Sequence, residues 1–264
     1  MNGKIQLRTM TTEHKKRFAS LPILEGRVKA ENIIVHSESL LEITSNTYEL
    51  SERITSKKLA LVLYGAPGSG KDTLLEQVLA GEGKHKYHRT RNATTRPRRP
   101  NEPLDAQTWM SEEEFRIAHE QNMFIEVNEH TSDGGIKRYG TLKSEVRFAH
   151  EHGMIPVLRV DPNGARAIRT KWLAGEDPFE DSLVVNLCIT PSHEHHIYQR
   201  LMRREIEKGR EPLGARKAVQ ARMPQVIADF RFEDAHYILV NRDGEIAKAV
   251  SAFEHVVEIH SNLK

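Results

Sequence analysis

A glycine-rich segment that ends in lysine carries the clearest chemical signal of this 264-residue chain. Gly65, Gly70 and Lys71 fit the spacing G-x-x-x-x-G-K, and the segment lies between a short apolar run and a helical pattern. In such a loop the backbone N–H groups surround a phosphate at the positive end of the helix. The sequence therefore predicts a phosphate-binding loop, with an ordinary glycine-rich turn as the simpler alternative.

The residue after the lysine departs from the usual motif, which has Ser or Thr at that position to meet magnesium. Here Asp72 follows Lys71, and the first hydroxyl belongs to Thr73. An acidic residue in the first helical turn suits the helix dipole, and magnesium commonly binds through water and phosphate oxygens. We therefore expect the loop to bind phosphate. Whether Asp72 or Thr73 contacts the magnesium shell stays open.

A run of positive charge at residues 84–99 predicts a second anion site. It contains seven Lys or Arg and no acidic residue. Arginines in such a run can clamp the phosphate of a second substrate. A nucleic-acid surface and a solvated basic loop are the alternatives. The run has few aromatics and follows the phosphate-loop helix directly, which favours the clamp over nucleic acid.

The overall composition gives little support for several other classes of protein. The chain has 39 Lys plus Arg against 37 Asp plus Glu, and this balance does not point to a nucleic-acid or membrane partner. No apolar run approaches membrane-spanning length, and the first residues lack the apolar core of a secretion signal. The single cysteine, Cys188, cannot form an internal disulfide. We expect it to be buried in a strand, and we expect a cytoplasmic protein.

The fourteen histidines raise the question of a metal site. The closest group is His193, His195 and His196, whose spacings do not converge on one face of a helix. No cysteine lies near them in the sequence, so the ligand sets of structural zinc sites are not matched. We predict no metal site made by the protein alone.

The spacing of apolar residues predicts an α/β fold with a mostly parallel sheet. Short apolar runs typical of buried strands occur at 58–65, 154–160, 183–189 and 236–240. Helical patterns occur at 111–121, 142–152, 193–207, 214–230 and 244–258. Strands that alternate with helices imply a parallel sheet covered on both faces. We expect residues 1–57 to form an N-terminal extension of unknown role, with one strand and one helix, and 58–264 to form the main domain.

Several segments resemble those of guanylate kinases, in the same order and at similar spacing. ATTRPRRPNE (93–102) is similar to the family's T-T-R-x-P-R-x-G-E segment, and RYGTLKSEV (138–146) to its Y-Y-G-[TS] segment. The other similar segments are WMSEEEFRIAHEQNMFIEVNEH (109–130), VLRVDPNGA (157–165), LCITPS (187–192) and RFEDAHYILVNRDGEIAKAV (231–250). Together they cover most of the chain beyond the extension.

The resemblance implies a P-loop NTPase fold with an inserted acceptor-binding subdomain at 90–143 and a helical lid at 201–222. It also implies transfer of the γ-phosphoryl group of ATP, with Mg²⁺, to a nucleoside monophosphate, and GMP is the preferred acceptor. Two alternatives stay open. One is a ribose 1,5-bisphosphate phosphokinase, a relative with the loop form G-K-D-[ST]-L-L, and the other is a non-catalytic binding module of the same family. Nucleic acid is not expected as a partner, and the oligomeric state is not predicted.

The resemblance assigns candidate residues to three tasks. ATP would be bound by Gly65, Ala66, Pro67, Gly68, Ser69, Gly70, Lys71, Asp72, Thr73 and Asn241. The acceptor would be held at its phosphate by Arg96, Arg99 and Tyr139, and elsewhere by Asn92, Glu126, Thr141 and Asp161. Positioning and charge stabilisation would come from Lys71, Arg96 and the lid residues Arg204 and Arg222, with Arg216 as a further lid arginine.

Three of the acceptor residues also have simpler explanations. Glu126 would accept hydrogen bonds from N1 and the exocyclic amine of guanine, but it also fits a solvated acid after a buried pair. Thr141 would donate to the base carbonyl, and a helix cap is the alternative. Asp161 ends a predicted strand at the edge where α/β sheets bind ligands, and it also fits the cap of a turn.

Three further positions depart from the family pattern. Asn92 stands where the family has serine, and Gln107 stands where it has a tyrosine that contacts phosphate. Arg159 replaces the first aspartate of L-D-[IV]-D, which reverses a charge beside the expected magnesium water. These departures weaken the expectation of GMP more than the expectation of phosphoryl transfer. Glu126 together with Thr141 favours a guanine-type base.

Overall fold

The computed structural model describes residues 33–37, 39–53, 56, 58–81, 83–99, 102–132 and 135–261. Most of the predicted N-terminal extension, residues 1–32, lies outside the described residues. The strands are β1 (Ile33–Ser37), β2 (Leu40–Ile43), β3 (Lys58–Tyr64), β4 (Tyr87–Arg89), β5 (Asn92–Thr94), β6 (Thr108–Trp109), β7 (Phe124–Ser132), β8 (Gly135–Leu142), β9 (Ile155–Arg159), β10 (Ser182–Thr190) and β11 (Tyr237–Val240). The helices are α1 (Thr44–Glu52), α2 (Lys71–Val78), α3 (Gly83–Lys86), α4 (Glu112–Glu120), α5 (Lys143–Glu151), α6 (Pro162–Leu173), α7 (Glu194–Glu207), α8 (Pro212–Ala228) and α9 (Ile246–Ser261).

The central sheet has the strand order β1-β2-β11-β10-β3-β9-β4. From β11 to β4 all neighbouring strands pair in parallel, so the predicted α/β fold is confirmed. Every residue of β10 is buried, as expected for a strand covered on both faces. The chain passes from β9 on one side of β3 to β10 on the other. The carboxyl end of β3 therefore lies at a switch point, where open α/β sheets bind ligands.

The described part of the N-terminal extension belongs to this sheet. β2 pairs antiparallel with β11, and β1 pairs antiparallel with β2. Leu40 and Leu41 are fully buried in the main core. The Asn46 side chain of α1 donates to the carbonyl oxygens of Glu233 and Ala235 at 3.0 and 2.6 Å. The extension thus contributes two strands and a helix, whereas one strand and one helix were predicted.

A second sheet, in the order β6-β5-β8-β7, is formed by residues of the predicted acceptor-binding region. Its small core contains Phe115, Phe124 and Leu142. Helix α4 begins with a capping box, in which Ser111 and Glu114 each bind the other's backbone N–H. The pairing of β7 with β8 shifts register between Phe124 and Glu126. This irregularity places Glu126 opposite Thr141.

The lone cysteine is buried in β10, as predicted. Burial raises the pKa of Cys188 to about 12. The thiol therefore stays protonated at neutral pH, and a protonated thiol is a poor nucleophile. The mechanism of this protein must use other groups.

Two features are absent from the described residues. No helix there is long and apolar enough to cross a membrane. No group of three or more His, Cys, Asp or Glu in the same residues is arranged to hold a metal ion.

Leu41→Ala tests whether β2 is part of the main core. Because this side chain is fully buried, its truncation leaves a cavity and should lower the free energy of unfolding by about 2–5 kcal/mol. Tyr48→Ala on α1 is the control, since that side chain is 58% exposed, and it should change stability by less than about 1 kcal/mol. Urea unfolding followed by circular dichroism measures both. Equal urea unfolding midpoints for Leu41→Ala and the wild type would contradict the placement of β2 in the main core.

Candidate active site

The phosphate loop forms the turn between β3 and α2. Gly70 begins the helix with a φ of 97°, and a Cβ at this position would lie 2.1 Å from Asn241 Nδ2. At Gly65, where φ is 147°, a Cβ would lie 2.3 Å from the carbonyl oxygen of Ile189. A side chain is therefore excluded at both positions by backbone conformation and by space. The loop approaches β10 and Asn241 this closely because it contains glycine.

The Lys71 side chain lies along the inside of the loop. Its Nζ donates to the carbonyl oxygens of Gly65 at 2.6 Å and Ala66 at 3.2 Å. Burial lowers the pKa of Lys71 to about 8; the charge of Asp72 opposes this fall, and the charge of Arg159 adds to it. The ammonium is thus still mainly protonated at neutral pH. It could exchange its two carbonyl contacts for charge-assisted hydrogen bonds to phosphate oxygens.

The acidic residue after the lysine faces an arginine. The Asp72 carboxylate is 56% exposed and accepts a hydrogen bond from Arg159 Nη1. Burial by itself would raise the pKa of Asp72, but the charge and hydrogen bond of Arg159 outweigh it and hold the pKa below its ordinary value. Thr73 is exposed beside it. Asp72 is therefore charged at neutral pH, and one of its oxygens is engaged by Arg159.

Arg200 of α7 holds the other side of the loop, a role that the sequence analysis missed. Its Nη1 donates to the carbonyl oxygens of Gly68 and Ser69 at 3.2 and 3.1 Å. Its Nη2 donates to the carbonyl oxygen of Asn241 at 2.9 Å and to Asp243 at 2.6 Å. Arg200 lies one helical turn before the predicted Arg204, so the two share a helix face. This spacing from Arg204 was the feature of the sequence that could have predicted the role of Arg200.

The loop, α7 and the segment after β11 enclose a cavity of about 500 Å³. Lys71, Asp72 and Thr73 line it together with Arg204 and Asn241. The Asn241 side chain also donates to the carbonyl oxygen of Ser69 at 3.0 Å. The hydroxyl of Ser69 is buried and has no hydrogen-bond partner among the described residues. The wall of the cavity includes the cations of Lys71 and Arg204, which suit the phosphate groups of a ligand.

The two predicted lid arginines lie in different surroundings. Arg204 lines the cavity over the phosphate loop. Arg222 of α8 instead lies 3.4 Å from the buried carboxylate of Glu205, with its side chain half exposed. Arg216 is exposed on the same helix. The structure thus brings Arg204 to the loop and holds Arg222 within the helix pair, and the role of both in lid closure stays a prediction.

Glu126, Thr141 and Asp161 belong to one partly buried hydrogen-bond network on the second sheet and its border. Thr141 Oγ1 donates to Glu126 Oε1 at 2.6 Å. Asn128, which the sequence analysis missed, donates to Glu126 Oε2 at 2.6 Å and to Asp161 Oδ1 at 3.2 Å. Asp161 also caps α6 by accepting from the Gly164 N–H at 2.8 Å. Asn128 follows Glu126 by two residues on the same strand face, which was its sequence signal.

The environment of Glu126 favours its neutral form. Burial raises the pKa of Glu126 to about 7; the hydrogen bond from Thr141 opposes this rise, and the charge of Asp161 adds to it. The side chain is 9% exposed, so it is not the solvated acid of the simpler interpretation. Thr141 binds Glu126 and does not cap α5, because Leu142 occupies that position without a side-chain cap. Each Glu126 carboxylate oxygen accepts one hydrogen bond, from Thr141 or from Asn128, and keeps a lone pair that could accept from a donor of a heterocyclic base.

The residues of the predicted phosphate clamp lie at and after the end of β5. Arg96 Nη2 donates to both carboxylate oxygens of Glu102 at 2.8 Å. Arg99 is exposed. Tyr139 is paired with Thr94 across β5 and β8, and Asn92 of the same strand is paired with Thr141. The pairing therefore brings the candidate phosphate and base residues onto adjacent strands.

Much of the basic run is paired within the fold. The ion pairs are Lys86 with Glu254 at 3.0 Å, Arg91 with Glu145 at 2.7 Å and Arg96 with Glu102 at 2.8 Å. Arg98 Nη1 also donates to the carbonyl oxygen of Glu102 at 2.6 Å. Such pairing reduces the positive potential that the run presents to solvent. The exposed guanidinium of Arg99 lies next to this paired group.

Comparisons with known proteins point to one family. The sequence model described as guanylate kinase matches residues 57–258. A guanylate kinase of Mycoplasmopsis pulmonis is 36% identical over 122 residues, which are 46% of this chain and 60% of that protein. A guanylate kinase of Lactobacillus delbrueckii subsp. bulgaricus is 28% identical over 209 residues, 78% of this chain and 90% of that protein. The crystal structure of guanylate kinase from Anaplasma phagocytophilum covers 78% of this chain and 88% of its own, with 17% identity and a TM-score of 0.47.

Glu126→Gln tests the raised pKa of this carboxyl through the pH dependence of stability. A folded-state pKa of about 7, against an ordinary value near 4.5 when unfolded, means that the folded state keeps a proton that the unfolded state loses. The free energy of unfolding of the wild type should therefore fall between about pH 4.5 and 7 by roughly 1–3 kcal/mol relative to Glu126→Gln. Urea unfolding at several pH values measures the difference.

The control for this experiment is Glu180→Gln, at an exposed position. It should follow the wild-type pH dependence, because an exposed side chain has similar surroundings in the folded and unfolded chain. A constant stability difference between wild type and Glu126→Gln across this range would contradict the raised pKa.

Proposed function

The chain belongs to the guanylate kinase family, and we propose that its site transfers the γ-phosphoryl group of ATP to GMP, which gives ADP and GDP. Family membership supports a nucleoside monophosphate kinase. The site supports the same reaction in chemical terms. The phosphate-loop residues and the network around Glu126 lie toward the carboxyl edge of the parallel strands, and α7 brings Arg200 and Arg204 to the loop.

The observation that carries the choice of GMP is the buried hydrogen bond between Thr141 and Glu126 at 2.6 Å. Guanine presents N1–H and an exocyclic amine on one edge, and both are donors for a carboxylate. Adenine presents an acceptor at N1, which a carboxylate would repel. A phosphorylated sugar has no planar donor edge, so it would add no matching pair of donors to the Glu126 carboxylate. The pocket therefore favours a guanine nucleotide over the other two acceptors.

The reaction needs positioning and charge but no covalent intermediate. An oxygen of the GMP phosphate forms a bond to the γ-phosphorus while the bond to the β–γ bridging oxygen breaks. The electron pair of the broken bond leaves with ADP. Lys71 would bind the outer phosphates of ATP, and Arg204 would stabilise the equatorial oxygens from the cavity wall. Arg96 and Arg99 would hold the GMP phosphate, with Arg96 exchanging Glu102 for a phosphate.

Magnesium would enter with ATP. When bound, it would supply positive charge that offsets the negative charge of the ATP phosphates during transfer. Asp72 and Thr73 are the residues of this chain that fit it, since a carboxylate and a hydroxyl open to the cavity suit a hard cation. Phosphate oxygens and water would complete the coordination, which agrees with the absence of a ligand cluster among the described residues.

Lys71→Ala tests the donor half of the site. Removal of a charge that contacts the transferred group should lower kcat/KM by at least about 100-fold. Lys171→Ala is the matched control, because Lys171 lies on α6 and forms an ion pair with Glu176. The activity of this variant should equal that of the wild type. A coupled assay that measures ADP formation compares the variants. Retention of more than a tenth of the activity in Lys71→Ala would contradict the role of the loop.

A panel of acceptors tests the acceptor half. With ATP and Mg²⁺, the wild type should phosphorylate GMP and show little turnover of AMP or ribose 1,5-bisphosphate. Glu126→Gln should raise KM for GMP by roughly 10- to 100-fold, the size of lost hydrogen bonds to a charged group, and leave KM for ATP unchanged. Turnover of ribose 1,5-bisphosphate without GMP would favour the sugar kinase. ATP binding without turnover of any acceptor would favour a non-catalytic module.

A further inference from the structure

The positions at which this chain departs from its family lie together in space. Arg159 Nη1 donates to the Asp72 carboxylate. With its amide oriented to satisfy both groups, Gln107 accepts from Arg159 Nη2 at 3.3 Å and donates to the Asn92 carbonyl oxygen at 2.8 Å. Asn92 Nδ2 donates to the Arg159 carbonyl oxygen at 3.2 Å. We call these four residues, Asp72, Asn92, Gln107 and Arg159, the departure cluster.

The departure cluster joins the donor side of the site to the acceptor side. Asp72 follows Lys71 at the start of α2, whereas Asn92 and Gln107 belong to the acceptor-binding region. Arg159 is paired with Leu63 near the end of β3, two residues before the phosphate loop. Its guanidinium therefore lies between the two halves, where a phosphoryl group must pass from donor to acceptor.

The guanidinium is fixed in position but retains donors for a ligand. Arg159 is 22% exposed, and its contacts to Asp72 and Gln107 use two of the five N–H groups that an arginine has. Two anchored nitrogens restrict the rotation of a long side chain, which lowers the entropy lost on binding. The planar fork matches two oxygens of a phosphoryl group.

Other cations crowd the same place. Burial, and then the charge of Arg159, lower the pKa of Arg89, and Arg159 acts in the same direction on Lys71. The charge of Arg159 thus acts against the charges of both Arg89 and Lys71, and the charge of Asp72 outweighs this effect at Lys71 but offsets it only in part at Arg89. Carboxylates that act on these cations more weakly are Glu76, Asp105 and Asp161. A bound phosphoryl group would relieve the remaining repulsion.

We propose that Arg159 is a catalytic residue that binds the γ-phosphoryl group of ATP during its transfer, and that Asp72 and Gln107 position its guanidinium. The inference rests on the proposed kinase function. Arg159 supplies positive charge to the equatorial oxygens while the acceptor oxygen bonds to phosphorus and the bridging oxygen leaves. It stays protonated throughout. In this chain a protein cation thus occupies the place at which the family pattern has an aspartate.

The test compares the affinities of ATP and ADP by isothermal titration calorimetry, with Mg²⁺ and without an acceptor. ADP lacks the γ-phosphoryl group, so the ratio of the two affinities isolates contacts to that group. Arg159→Met should lower the affinity for ATP by roughly 10- to 100-fold relative to the affinity for ADP. This is the effect expected from the loss of a charge-assisted hydrogen bond. Arg159→Lys should retain part of the preference. Arg147→Met, which removes the surface pair with Asp177, is the control and should match wild type.

A second experiment distinguishes a catalytic role of Arg159 from a role in which it only neutralises the charge of Asp72. If Arg159 only balances Asp72, the double variant Asp72→Asn/Arg159→Met should recover the kcat that Arg159→Met loses. If Arg159 binds the transferring group, the double variant should stay at least about 100-fold below wild type, with KM for GMP changed less than kcat. Thermal unfolding of each variant checks folding. If Arg159→Met fails to fold, the ratio of the ATP affinity to the ADP affinity in Arg159→Lys decides whether Arg159 contacts the γ-phosphoryl group.

The outcomes distinguish this inference from the proposed function. An ATP-to-ADP ratio in Arg159→Met equal to wild type overturns the inference, whatever the effect on rate, and so does rescue in the double variant. Absence of GMP turnover by the wild type contradicts the proposed function. Because the calorimetric comparison uses no acceptor, it decides the role of Arg159 in that case as well.

Discussion

β3 pairs in parallel with β9 on one side and with β10 on the other, and this pairing fixes where the functional groups can lie. Parallel strands end at the same edge of a sheet, so the phosphate loop after β3 and Arg159 and Asp161 at the end of β9 converge there. The second sheet is tied to that edge by hydrogen bonds from Asn92 to Arg159 and from Asn128 to Asp161. Donor and acceptor sites are therefore built on neighbouring rigid elements, which suits a reaction that depends on positioning.

Burial shifts the pKa values of two key residues, one in each half of the site, in opposite directions. It lowers the pKa of Lys71 to about 8 and raises the pKa of Glu126 to about 7, so each group is pushed toward its neutral form. The expected ligands reverse both tendencies, because phosphates favour the ammonium and the donors of guanine favour the carboxylate. In the free site, burial therefore disfavours the charged forms of Lys71 and Glu126. Substrate binding would stabilise both charged forms. Such poised groups are typical of active sites.

The sequence predicted the parts of the site that depend on local pattern, and it missed those that depend on distant contacts. Continuous apolar runs predicted β3 and β10 because a parallel strand buries both faces. The family resemblance assigned Glu126 and Thr141 to the same acceptor base, and the two side chains are hydrogen-bonded to each other; their role toward a base stays a prediction. Arg200 was missed because its partner Gly68 lies 132 residues away, and the pairing of Asp72 with Arg159 depends on the register of β3 and β9. The antiparallel addition of β2 was also missed, since edge pairing leaves no periodic signal.

The central claim is that a buried carboxylate recognises the donor edge of guanine. Equilibrium titration of the protein with GMP and with inosine monophosphate tests it most directly, because the two differ only in the exocyclic amine. The account predicts that GMP binds roughly 10- to 100-fold more tightly, the effect of one hydrogen bond to a charged acceptor. The preference should disappear in Glu126→Gln. Equal affinity of the wild type for the two nucleotides would contradict the account.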